Sequence, residues 1–185
     1  MFEYIGEMMS ILVGLGAAKL FGGFGDYMLV RRRVKTYWLH TSWVLLLLLM
    51  QVNLWWSFWD LHEVSVWTSR AFLWALMGPG GLVIAAYIAI TEPGDGTLDL
   101  EEHYYATSSV FFGTLTLVAA WVTITPWVLG LRAFLAPIRF IQVVEVLALA
   151  LSAASKNRML HAAAMILMSL ILSAILLIVR SAVRS

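Results

Sequence analysis

The sequence predicts an all-α fold, a polytopic transmembrane bundle of about six helices forming one domain over residues 1–185. Three observations carry that expectation. First, 62% of residues are hydrophobic and 12% charged, against about 45–50% and about 25% in ordinary soluble domains. The mean hydropathy is +0.87, so lipid has to solvate much of the apolar surface. Second, continuous apolar runs such as VLLLLLM (44–50) and AAAMILMSLILSAILLIV (162–179) lack the alternation of a membrane β-barrel. Third, charged or turn-rich breaks divide the chain into six stretches of spanning length, at about 4–29, 37–59, 66–91, 105–129, 133–154 and 160–181. Five is the alternative count.

The first span reads GLGAAKLFGGFGD, with Gly14, Ala18, Gly22 and Gly25 along one side. Small residues at such spacing let helix backbones approach, so this side is expected to pack within the protomer or between protomers. Glu7 lies on the same side. No Lys or Arg precedes Lys19, which is unlike a secretory leader, and the first span is expected to stay in the mature chain. The next break, VRRRVK in loop 30–36, is strongly basic, as is SKNR in loop 155–159. Together these loops hold six of the 12 basic residues. The positive-inside rule puts both in the cytoplasm and both termini outside.

The third span carries Gly78-Pro79-Gly80-Gly81 near its centre. Proline removes a backbone donor and glycine supplies little helix propensity, so a broken helix is expected there. After it comes TEPGDGTLDLEEHYY, whose acidic part, 92–103, is the longest polar segment offered to a partner. Tyr and Trp gather near span ends, among them Tyr37, Trp55, Trp56, Trp59, Tyr104, Tyr105 and Trp127, as interfacial anchors do.

Charge inside a span costs about 2.5–3.5 kcal/mol at the bilayer centre. Lys19 and Glu145 fall near the middle of the first and fifth spans and are expected to pair, or to let Glu145 act as a proton- or cation-binding carboxylate. Arg139, Gln142 and Glu145 recur at spacings of three on one broad face of the fifth span. Glu7, Asn53 and Arg70, with Gln51 deeper, are expected to line a polar vestibule, and Arg70 with Glu7 is the simplest salt bridge. His40, His103 and His161 all fall at cytoplasmic span ends, the weak basis for a metal or haem site.

Several classes are excluded. With no cysteine there are no disulfides or thiolate metal sites, and a net charge of +1 attracts no nucleic acid. No HExxH, phosphate-binding loop or nucleophile–base set is visible, so an enzyme is not the first expectation. The leading expectation is an oligomeric proton or small-ion channel or transporter with no cofactor. Next stands a non-catalytic subunit of a larger membrane complex, and last a histidine-ligated haem or metal redox protein.

The start FEYIGEMMSILVGLG, the junction RRRVKTYWLH and the WW-x-x-W end of the second span resemble a group of uncharacterised bacterial integral membrane proteins. The likeness covers roughly the first 60 residues and implies a bacterial inner-membrane setting, with no activity to carry over. Six-helix potassium channels have a similar span count, but the TVGYG filter of the better-known ones is absent.

Overall fold

A computed structural model of the chain describes residues 2–64, 66–131 and 136–182. Six helices follow one another: α1 (Phe2–Leu29), α2 (Trp38–Ser57), α3 (Ser69–Ala89), α4 (Leu100–Val128), α5 (Ala136–Ala154) and α6 (Arg158–Ala182). In α1, α2, α3, α4 and α6 there are stretches long and apolar enough to cross a membrane. The fifth predicted span corresponds to α5, and its first residues, 133–135, lie outside the described ones. α5, of 19 residues, packs on α4 and α6. Neighbours in the sequence alternate in direction. α1 packs on α2 and α3, α3 on α4, α4 on α5 and α5 on α6, while α6 returns to α2 and closes the ring.

Polar side chains set several helix starts. Thr68 Oγ1 accepts from Ala71 N at 3.2 Å ahead of α3. Asp99 accepts from Glu101 N at 3.0 Å and Glu102 N at 3.2 Å, and Asn157 caps α6 through Met159 N at 2.9 Å. These side chains occupy donors that the first turn leaves orphaned. Asp99 explains why α4 begins five residues before the predicted span: Glu101 and Glu102 are its first turn, where the helix dipole favours carboxylates. Gly130, at φ 67°, ends that helix in the left-handed region that suits glycine.

The expected break in α3 does not occur; the helix continues through Pro79. Its glycines serve close approach instead. A Cβ on Gly78 would strike the ring of Trp121, and one on Gly81 would strike Val118, so α4 rests directly on the α3 backbone. Beside them, Trp121 Nε1 donates to Trp74 O at 2.8 Å and Trp74 Nε1 to Thr125 Oγ1 at 3.0 Å. Tight packing and these cross-helix bonds support the continuous helix where proline withholds a donor.

α1 shows the converse. The expected packing stripe of Gly14, Ala18, Gly22 and Gly25 is exposed, and a Cβ on any of its three glycines would meet nothing within 4 Å. The buried face is Ile5, Met9, Gly16, Leu20 and Gly23. There Gly16 lies under Gln51, and Gly23 under Ile90. Composition identified a helix rich in small residues; which of them touch a neighbour depends on tertiary placement.

At one end, the two sequence-distant loops are tied together. β1 (Val34–Lys35) pairs in parallel with β2 (Leu98–Asp99). Arg33 Nη1 donates to Gly94 O at 3.2 Å and Asp95 O at 2.7 Å, and Lys35 Nζ meets Asp99 Oδ2 at 3.4 Å. The acidic segment is therefore strapped to the basic loop. We call this the tyrosine end, and the opposite one, carrying Trp55, Trp56, Trp59 and Trp127, the tryptophan end.

Candidate functional site

The polar positions of α5 resolve into two settings. Gln142, Glu145, Leu149 and Ser152 share one face at spacings of three, four and three. Leu149 and Ser152 are buried at 1% and 0% exposure, so this face turns into the bundle, while Phe140, Val143, Leu147 and Leu151 face out. Gln142 and Glu145 are half-buried. Among the described residues, Glu145 has no hydrogen bond and no ion pair. Arg139 sits to the side, its guanidinium 4.8 Å from the centre of the Trp127 ring.

The expected Lys19–Glu145 pair is not formed. Lys19 Nζ lies 5.0 Å from the Tyr87 ring centre, close to the C-terminal end of α3, a cation–π contact. Glu145 is half-way along α5, which packs on α4 and α6, whereas α1 packs on α2 and α3. The two side chains therefore stand on different flanks and at different depths. Nor do Arg70 and Glu7 pair: both are exposed, and Lys35–Asp99 is the one ion pair among the described residues. Gln51 is sealed at 1% exposure and so lines no open surface, while Asn53 is half-buried and Glu7 and Arg70 are exposed. Gln51 is notable for another reason. Neither atom of its amide has a hydrogen-bond partner among the described residues, and a Cβ on Gly16 would come within 2.6 Å of it. The helix break expected at Gly78 to Gly81 is not formed, and Gly78 and Gly81 are packing contacts to α4.

The three histidines do converge on the tyrosine end. His40 Nε2 bonds to Ala89 O at 2.8 Å and His103 Nε2 to Ile88 O at 3.1 Å, with the two ring centres 6.0 Å apart. Thr91 N donates to Tyr27 Oη at 3.1 Å. Thus α1, α2 and α4 each contribute one polar group to the C-terminal end of α3. His161, fully buried, accepts at Nδ1 from Tyr104 Oη at 3.0 Å and donates from Nε2 to Ser152 O at 3.0 Å and Ser155 O at 2.7 Å. Nearby, Tyr37 and Tyr105 share a 2.9 Å hydrogen bond, and the Arg158 guanidinium lies 5.8 Å from the Tyr37 ring. A cavity of about 10 Å³, about the room one water needs, is lined by His40, Trp43, Ala89, Tyr104, Thr107 and Phe111.

This geometry bears on a histidine-held metal or haem. A carbonyl only accepts, so each Nε2 carries a hydrogen and points its N–H at backbone rather than at an open site. His161 Nδ1 is also engaged. Among the described residues no three metal-ligating side chains converge, and the histidines fit a role in joining helices. Sequence reasoning placed these histidines at one end but read Tyr104 and Tyr105 as interfacial anchors. The run His103-Tyr104-Tyr105 was the available signal, because consecutive polar rings on one helix must face several neighbours.

Outside the spans, Asp99 is held below the ordinary carboxylate range, first by the Glu102 N–H and further by Lys35 and the Glu101 N–H. No family model, no curated protein and no solved structure matches the chain.

Proposed function

We propose that the protein is an oligomeric membrane transporter or channel for protons or small cations, with Glu145 as the carboxylate that takes up and releases the ion. The observation that carries this reading is Glu145 itself: an inward-facing carboxyl half-way along α5 with no counter-charge among the described residues. At that depth an uncompensated charge costs about 2.5–3.5 kcal/mol. Such a group favours an exchangeable cation, the proton included. Gln142, one turn away on the same face, supplies an amide to the approach, and Arg139 marks the tryptophan end of that line. The setting is the bacterial inner membrane, with loops 30–36 and 155–159 cytoplasmic and the termini outside. No cofactor is required.

Proteoliposomes under an imposed pH gradient or potassium diffusion potential test this reading. Wild-type vesicles are expected to pass protons or small cations, and Glu145→Gln to reduce the flux to the background of empty vesicles. Flux unchanged by that substitution, or absent from wild type in every gradient, removes the proposal.

The strap gives a second reading some support. Arg33 and Lys35 fix the acidic segment in place with Glu92 and Asp95 exposed, the preorganised surface that an accessory subunit would present to a larger complex. That reading expects co-purification with one defined membrane complex in mild detergent.

A further inference from the structure

Two opposite charges face outward without partners at nearly the same depth. Because Gly23 lies against Ile90 and Tyr27 Oη meets Thr91 N, α1 and α3 run side by side in the same direction. Counting back along both helices puts Glu7 within about one turn, ~6 Å, of the depth of Arg70. Both are exposed, and neither has an ion pair among the described residues. For Arg70, at the second residue of α3, the headgroup level is near. Glu7 is different, since it lies more than a turn inside α1 on the side turned away from the bundle, where lipid offers no counter-charge.

The surface between these charges allows close approach. Gly14, Ala18, Gly22 and Gly25 run down the same side of α1, and on the adjoining α3 Gly80 also has open space where a Cβ would be. The contrast with Gly16 and Gly23, which are pressed against neighbours, shows that the outward glycines are not needed for packing within the protomer.

We infer that this face binds a second copy of the chain, α1 against α1, with Glu7 of each copy paired to Arg70 of the other about a two-fold axis normal to the membrane. A two-fold contact of this kind satisfies both charges twice, because residue i meets j and j meets i. A different membrane protein would need its own matching cation at the depth of Glu7, whereas this chain already carries one. The inference supplies an interface for the oligomer in the proposed function and rests on that part of the reading alone, since it involves neither Glu145 nor ion flux.

Native mass spectrometry of the full chain in mild detergent and in nanodiscs, with circular dichroism to monitor folding, tests the interface. Wild type is expected to be a dimer. Glu7→Arg and Arg70→Glu should each weaken dimerisation at least about tenfold, and the double charge reversal should restore it. Gly14→Leu combined with Gly22→Leu should yield a folded monomer, because a Cβ at either position meets nothing within 4 Å among the described residues. A monomeric wild type, a wild type held only with a different membrane protein, or folded single reversals that dimerise normally would each overturn the inference. So would a folded double reversal that stays monomeric. Flux measured on the same preparations separates the two proposals: loss of flux on Glu145→Gln in a dimer-free protein keeps transport and discards the interface.

Discussion

The three histidines at the tyrosine end and Gln51 in the middle of the bundle stand in opposite situations as buried polar groups. At the end, His40, His103 and His161 each direct Nε2 at a backbone carbonyl, and His161 also receives a hydrogen bond from Tyr104. In the middle, Gln51 is buried at 1% exposure, yet neither of its amide atoms has a hydrogen-bond partner among the described residues. A made hydrogen bond contributes only about 0.5–1.5 kcal/mol net, whereas an orphaned buried group costs about 1–3 kcal/mol. Chemically similar substitutions should therefore change stability with opposite signs at the two places.

The largest effect is expected at His161. Replacement by leucine removes bonds to Tyr104, Ser152 and Ser155 and leaves those buried acceptors and a donor unanswered. Unfolding in detergent–denaturant mixtures should show a loss of about 3 kcal/mol or more; a loss below about 1 kcal/mol would mean the histidine end is no better satisfied than the middle. At Gln51 the sign should reverse. Gln51→Leu keeps much of the volume and removes two unpartnered atoms, so stability should hold or rise by about 1–2 kcal/mol in the same assay. Marked destabilisation there would show that the amide is satisfied by ordered water. Such a result would make the two regions alike.

The smallest effect concerns the strap outside the spans. Asp99 titrates below its unfolded value, so its stabilising contribution is present above the ordinary carboxylate pKa of 3.8 and is lost as pH falls through the lowered folded value. Thermal unfolding followed from pH 6 down to about pH 2 should show this as a shallow decline that Asp99→Asn flattens. An unchanged slope in the variant would assign the decline to other carboxylates.

Much of the helical layout was legible in the sequence because hydropathy and length suffice for it. The predicted stretch 66–91 became Ser69–Ala89 and 160–181 became Arg158–Ala182. Departures from it trace to particular residues. Glu101 and Glu102 look like loop by charge, yet they form a first turn because Asp99 caps their N–H groups. Gly78 to Gly81 look like a break by propensity, yet the helix continues and the bulk of Trp121 and Val118 makes Gly78 and Gly81 a packing floor. The site was less legible. Spacing alone put Gln142 and Glu145 on one face and the three histidines at one end. Pairings such as Lys19 with Glu145 depend on which helices adjoin, and that order, α1–α3–α4–α5–α6–α2, is not written in any single segment.

The backbone groups at the end of α3 have an implication for how the chain is made. Tyr27 and His40 lie on α1 and α2, which emerge from the ribosome before α3, so both rings are made before their partners Ala89 and Thr91. His103 is translated afterwards and reaches Ile88 only once α4 has begun to enter. The partners of the three contacts are thus synthesised in a fixed order, and the contact of His103 with Ile88 cannot form before the strap-bearing loop between them has been made. Seen in time rather than in space, the end of α3 is where the first half of the protein meets the second.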